Sequence, residues 1–141
     1  MKTIITVAAL FVAFISTAQK TETHSPKVAV ETYFDGYKKG DTTILKKVFH
    51  PSFHLSWLSP WAKGDQAFKQ VDRSGMFAFF GPNWKNNKIN CRIIDTQQQA
   101  SMAWVKARVE IEGIVIWTDY INLLKIGRQW WIVSKVSVGK I

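Results

Sequence analysis

The chain has 141 residues, of which 47% are hydrophobic and 21% charged, and its formal net charge is +9. These proportions exclude a disordered chain, and the length suits a single domain with one core. The lysines and arginines are scattered along the sequence, and no recognised nucleic-acid-binding module is present. We therefore expect a basic, soluble surface and no nucleic-acid partner.

The first eighteen residues have the pattern of a secretory signal peptide. Lys2 is followed by an apolar run from Ile4 to Ile15, and then by Ser16-Thr17-Ala18, which offers small residues for cleavage. We predict a signal peptide at 1–18, a single domain at 19–141, and export to the periplasm or the medium. The apolar run is short for a membrane span, so no stable span is expected after cleavage, although an uncleaved anchor is the alternative.

Three helices are predicted in the first half of the domain. Pro26 suits the start of the first helix, which carries an apolar stripe and ends before Gly40. Asp41 can cap a second helix that reaches about Phe49, and Pro51 then forces the chain into an extended strand. Asp65 can cap a third helix, which ends at 81–83. The apolar stripe of the first helix consists of Val30, Tyr33, Phe34 and Tyr37.

Strands follow to the end of the chain. They are predicted at 53–57, 89–96, 101–112, 114–125 and 130–138, with a turn at 97–99. Alternation in the strand at 101–112 places small apolar residues on one face and Trp104, Lys106 and Arg108 on the other. Helices followed by an antiparallel meander predict an α+β fold.

Two segments resemble a known superfamily. The sequences YFDGYKKGD with FHPSF, and TDYINLLKIGRQWWIVSKV, are similar to nuclear transport factor 2-like proteins, and most similar to a small exported group described as "putative lumazine-binding". The resemblance implies a cone-shaped fold, in which three helices pack on a curved antiparallel sheet and enclose a ligand pocket. It also implies a homodimer through the outer face of the sheet, where Trp104 and Trp131 are expected.

The superfamily includes ketosteroid isomerase, and the resemblance can be followed residue by residue. Tyr33 stands eight residues before Asp41 and matches the isomerase tyrosine that forms an oxyanion hole. The position of the isomerase base falls on Trp57, which cannot abstract a proton. Isomerase chemistry is therefore disfavoured, and Tyr33 is interpreted as a pocket-wall or core residue.

Asp119 is the acid with the most informative context. It lies among apolar residues of a strand, where a buried carboxylate must be hydrogen-bonded or functional. We predict that it faces the pocket together with Trp117; a purely structural carboxylate is the alternative. Asp119 is also the best candidate for a catalytic residue. The predicted ligand-binding residues are Tyr33, Tyr37, Trp57, Met76, Trp117, Asp119 and Trp130.

Metal and thiol chemistry are not expected. His50 and His54 are four residues apart, but Pro51 between them prevents a helical metal-binding pair. Cys91, the single cysteine, is interpreted as a small buried side chain. No motif identifies a cofactor.

Three functions remain open at this level. The favoured one is an exported protein that binds a small, partly aromatic molecule without catalysis. The second is an acid-base enzyme of the isomerase, dehydratase or cyclase type that uses Asp119. The third is a dimeric interaction module whose pocket is filled by its own side chains.

Overall fold

The computed structural model describes residues 23–80 and 88–141. The predicted signal peptide and the predicted helix end at 81–83 lie outside these residues. Within them, no helix is both long and apolar enough to span a membrane. The elements are α1 Pro26–Lys39, α2 Thr42–Leu45, β1 Phe49–Leu58, a 3-10 turn Gly64–Ala67, β2 Phe68–Asp72, α3 Arg73–Phe80, β3 Ile89–Gln99, β4 Met102–Ile111, β5 Val115–Ile126 and β6 Gln129–Lys140.

Local signals set both ends of α1 as predicted. The Ser25 side chain accepts a hydrogen bond from the backbone N–H of Val28 at the N-terminus, and Pro26 occupies the first turn. Gly40 ends the helix with a φ of 61°, a conformation that costs glycine little. Asp41 then caps α2 by accepting from the N–H of Thr43 at 2.8 Å.

The helices pack on one curved, unclosed sheet of six strands in the order β2-β1-β6-β5-β4-β3. Four of the five strand pairings are antiparallel, but β1 pairs with β6 in parallel. The sheet is therefore mixed, whereas the sequence predicted an antiparallel one. The reason is topological. The chain passes through β2, β3, β4 and β5 before β6 returns to lie beside β1.

The second and third helices are shorter than predicted. Residues after Leu45 leave the helix because Phe49 is already paired with Ile132 in the sheet. Residues 68–72, expected to be helical, form β2 and supply β1 with an antiparallel neighbour. Asp72, not Asp65, caps α3, and its side chain accepts from the N–H of Gly75 at 2.7 Å.

The predicted turn at 97–99 is also wrong. These three glutamines extend β3 and pair with β4, and the chain reverses at Ala100, which has a φ of 51°. Backbone pairing with a long neighbouring strand outweighs the turn preference of a polar run.

The core lies between α1 and the concave face of the sheet. The inward side chains of β4 are the ones that alternation predicted, and all are buried: Ala103, Val105, Ala107, Val109 and Ile111. On β5 the inward face carries Trp117, Asp119, Ile121 and Leu123, also as predicted. A β-bulge at Val133 interrupts β6, because Ile132 pairs with Leu123 while Ser134 pairs with Asn122.

Candidate functional site

A cavity of about 200 Å³ opens between α1, α3 and one end of the concave sheet face. Most of its wall is apolar and aromatic, and the polar side chains are grouped at one place, the cluster described below. Such a combination is typical of sites that bind small organic molecules. The apolar wall includes Tyr37, Leu55, Trp57, Met76, Val109 and Trp117.

Four polar side chains form a hydrogen-bonded cluster on the cavity wall. Lys135 Nζ donates to Asp119 Oδ2 at 2.8 Å and to the Tyr33 hydroxyl at 2.9 Å. The Tyr33 hydroxyl donates to the same Oδ2 at 3.3 Å, and the Ser137 hydroxyl donates to Asp119 Oδ1 at 2.6 Å. We call Tyr33, Asp119, Lys135 and Ser137 the polar cluster.

The polar cluster is almost completely removed from solvent. Asp119 is 1% exposed and Lys135 is 5% exposed. Burying either charge alone would be costly, so the ion pair and the hydroxyl donors are what allow both groups to remain inside. Lys135 Nζ also lies 5.0 Å from the centre of the Tyr33 ring.

Burial also keeps the tyrosines of the cavity protonated. The pKa of Tyr33 lies well above its usual value, first because of desolvation and then because of the nearby Asp119 carboxylate. Desolvation likewise raises the pKa of Tyr37, with a further contribution from Asp119. Both side chains therefore enter the site as neutral phenols at physiological pH.

The bulge at Val133 explains how Lys135 reaches the cavity. Unbroken alternation from Trp130 and Ile132 would carry Lys135 to the outer face of the sheet. The extra residue at Val133 reverses the alternation, so that Ser134 faces outward and donors at 135 and 137 face Asp119. The sequence analysis did not identify Lys135 and Ser137 as cavity residues, because a one-residue bulge leaves no regular periodic signal.

Six of the seven predicted ligand-binding residues are brought together. Tyr33, Tyr37, Trp57, Met76, Trp117 and Asp119 all border the cavity. Trp130 does not. It is buried at the other end of the concave face, where its backbone N–H and C=O bond Thr23.

Trp61 borders the cavity beside Trp117, although the sequence analysis did not single it out. Trp61 is 58% exposed and packs edge-on against Trp117, with ring centres 6.2 Å apart. Gly139 lies under Trp117, and a Cβ atom at this position would come within 2.6 Å of the indole. The absence of a side chain at Gly139 therefore allows the Trp117 indole to approach β6 closely.

The histidines and the cysteine that the sequence analysis considered lie outside the polar cluster. The described residues contain no group of three or more histidine, cysteine or acidic side chains that could hold a metal ion. His50 lies in β1 and its Nδ1 is 2.6 Å from the Ser52 hydroxyl. Burial raises the pKa of Cys91 to about 11, so its thiol is protonated at neutral pH.

Comparison with known proteins supports the fold and names one family. The family model described as "Putative lumazine-binding" matches residues 21–137. A solved nuclear transport factor 2-like protein of unknown function from Shewanella baltica superposes with a TM-score of 0.70 at 20% identity, covering 80% of this chain and 89% of that one. Another, from Silicibacter pomeroyi, has a TM-score of 0.69 at 19% identity, covering 81% and 92%. These likenesses show the nuclear transport factor 2-like fold.

One curated protein is also similar in sequence. It is called aldolase FrzH, from Cladobotryum sp, and is 28% identical over 105 residues, which cover 74% of this chain and 80% of that protein.

Proposed function

The chain belongs to the family described as "Putative lumazine-binding", and on that premise we propose that it binds a small, mainly aromatic molecule in the cavity between its helices and its sheet. The family supports a ligand-binding domain in general terms. The position and the chemistry of the ligand site are proposed from the cavity itself.

The observation that carries the proposal is the contrast between the aromatic wall and the polar cluster. Stacking on tryptophan and tyrosine rings stabilises bound flat aromatic ligands, and Trp57, Trp117 and Tyr37 offer such rings in the cavity. The polar cluster would hold one end of the ligand by hydrogen bonds. The cavity, at about 200 Å³, is smaller than the roughly 300–1,000 Å³ of sites for drug-sized ligands, which favours a molecule of one or two rings.

We propose that six of the sequence-predicted residues contact the ligand. Trp57, Trp117, Tyr37 and Met76 would hold its ring, while Tyr33 and Asp119 would belong to its polar end. Trp130 has no part in this proposal, because it lies outside the cavity.

Binding is tested first with the protein as cells make it. Native mass spectrometry of the purified protein should reveal any retained small molecule. Lumazine, a two-ring pteridine, is then titrated by calorimetry into wild type, Trp57→Leu and Trp131→Leu. Loss of a stacked ring at Trp57 should weaken binding about tenfold, since tenfold corresponds to about 1.4 kcal/mol. Trp131→Leu, on the outer face, is the matched control and should bind as wild type does.

Absence of any retained molecule, together with no binding of lumazine or of indole, would contradict the proposal. If the two tryptophan substitutions weakened binding equally, the ligand would not be bound specifically in the cavity.

A second candidate function is acid-base catalysis, favoured by the polar cluster and by the resemblance to a protein named as an aldolase. Asp119 would remove a proton from the carbon beside a carbonyl group, and Tyr33 and Lys135 would donate to the oxygen that becomes negative. Asp119 already accepts three hydrogen bonds, so a substrate proton would have to compete with these donors for the carboxylate oxygens, which is why binding is preferred.

The two functions predict different results in a hydrogen–deuterium exchange experiment on a ketone. Nuclear magnetic resonance can follow loss of the α-protons of 1-indanone, a small two-ring ketone, in heavy water. Exchange that is faster with wild type than with Asp119→Asn, while both bind the ketone, would favour an enzyme. Binding without faster exchange would favour the binding protein.

We also propose a homodimer through the outer face of the sheet, the assembly that the third candidate function requires. Tyr120 and Val136 are cross-strand neighbours there, 44% and 46% exposed, and Val138 is 49% exposed. Trp104 and Trp131 lie partly exposed on the same face. Val136→Glu and Trp104→Glu should dissociate the dimer, as seen by sedimentation. A wild-type protein that sediments as a monomer at high concentration would contradict it.

Export remains a proposal supported by the sequence of residues 1–18. N-terminal sequencing of the protein from its native envelope or medium should start at or near Gln19. A membrane-bound form that retains Met1 would contradict cleavage.

A further inference from the structure

We propose that the cavity selects an uncharged ring that carries an N–H or O–H donor, and that Asp119 Oδ1 receives this donor. The inference rests on the proposed binding function and specifies the chemical class of its ligand.

The first argument is the charge balance of the wall. Among the described residues that line the cavity, Asp119 and Lys135 are the two that carry a formal charge. Their charged atoms are 2.8 Å apart, so the two formal charges on the described part of the wall balance. A charged ligand would lose its hydration inside this apolar space without gaining an unpaired opposite charge. An uncharged ligand avoids that cost.

The second argument is the hydrogen-bond count at Asp119. A carboxylate offers about four acceptor positions. Oδ2 accepts from Lys135 and Tyr33, while Oδ1 accepts from Ser137. One position on Oδ1 therefore remains, on a residue that borders the cavity. A ligand fills it by donating, and a bond to an ionised acceptor is stronger than one between neutral groups.

The same arrangement gives the other members of the cluster a role. Lys135 and Tyr33 occupy one carboxylate oxygen and hold Asp119 in place, so that its second oxygen is presented in a fixed orientation. Lys135 is accordingly a positioning residue: it balances the charge of Asp119 and orients it.

Four small ring compounds test the inference at pH 7, with binding measured by chemical-shift titration of the full-length mature protein. Indole is neutral and has an N–H, and benzofuran has the same shape with an oxygen in its place. Benzoate is anionic, and benzamidinium is cationic. We expect indole to bind at least about tenfold more tightly than each of the others, tenfold being about 1.4 kcal/mol.

Two variants change the charge of the wall in opposite directions. Asp119→Asn leaves Lys135 without its counter-charge, so benzoate should gain affinity and indole should lose its advantage over benzofuran. Lys135→Gln leaves Asp119 unbalanced, so benzamidinium should gain instead. Spectra of each variant show whether it is folded, and the wild-type series decides the question where a variant is not.

The outcomes separate this inference from the proposal beneath it. Equal binding of indole and benzofuran, or tighter binding of benzoate, would overturn the selection of a neutral donor while leaving the cavity a binding site. Failure of all four compounds, with no retained molecule in native mass spectrometry, would overturn the binding function together with this inference.

Discussion

The two ends of the concave face are built from similar residues but packed differently. At the end we call the packed half, Phe49, Leu123 and Ile132 lie side by side on neighbouring strands, and the Phe49 and Phe53 rings are 4.6 Å apart. At the other end, the cavity half, Trp57 and Trp117 border open space. Both halves belong to the concave face of the same sheet, and both are rich in aromatic rings.

The difference lies in where polar groups enter. Tyr33 stands at the boundary, because its ring packs on Phe49 with centres 5.2 Å apart while its hydroxyl joins Asp119 and Lys135. On the packed side of this boundary the large side chains are apolar and buried. The comparison teaches that aromatic content alone does not locate a site, whereas a satisfied polar cluster beside unfilled volume does.

The largest effect should come from breaking the ion pair of the cavity half. Lys135→Met leaves the Asp119 carboxylate buried without its counter-charge, and should lower the free energy of unfolding by about 3–5 kcal/mol. Lys106→Met is the control, since Lys106 lies on the outer face over the Tyr120 ring and should cost less than about 1 kcal/mol. Urea unfolding measures both, and equal costs would show that the pair contributes little to stability.

A pair of substitutions on one strand sharpens the comparison itself. Val105 and Val109 are inward, buried residues of β4, but only Val109 borders the cavity. Val105→Ala should cost about 1.5–3 kcal/mol, because it removes two methyl groups and leaves a new void. Val109→Ala should cost about 1 kcal/mol less, since Val109 borders an existing cavity and the substitution enlarges that cavity instead of opening a new one. A larger cost at Val109 than at Val105 would refute the division into two halves.

The smallest effect concerns alkaline pH. Burial raises the pKa of Tyr37 in the folded state, so its contribution to stability is complete below the unfolded pKa of about 10 and is lost as the pH rises above it. Between pH 10 and 11 this loss is at most about 1.4 kcal/mol. Melting temperatures of wild type should therefore fall more steeply over this interval than those of Tyr37→Phe.

Tyr120→Phe provides the reference for the alkaline series, because Tyr120 is 44% exposed on the outer face. Its melting curve should follow the wild-type slope. A Tyr37→Phe protein that loses stability as steeply as wild type would show that other groups dominate the alkaline transition.

Much of the fold follows from short-range rules. Ser25 and Gly40 fix the two ends of the first helix and Asp41 the start of the second, and period-two alternation assigns the inward faces of β4 and β5 correctly. These features depend on neighbouring residues alone. Asp119 could be identified because burying a single acid in an apolar strand costs free energy unless the acid is hydrogen-bonded or functional.

The errors arise where distant pairing decides. Residues 68–72 carry a helical pattern but become β2, because β1 supplies an edge with which they can pair. Trp130 cannot be distinguished from Trp57 by pattern, since each is an inward tryptophan on a strand and only the tertiary packing leaves one beside a cavity. Lys135 was missed because the bulge at Val133 depends on the register between β5 and β6.

That bulge has an evolutionary consequence. One added residue in β6 decides which of two interleaved sets of side chains forms the cavity wall: Lys135 with Ser137, or Val136 with Val138. A one-residue insertion between Ser134 and Lys135 would turn Lys135 and Ser137 to the outer face, bring Val136 opposite Asp119, and bring Val138 to the place of Gly139 opposite Trp117. A change in chain length, with no substitution at any wall position, can thus remove both β6 donors from Asp119 in a single mutational event.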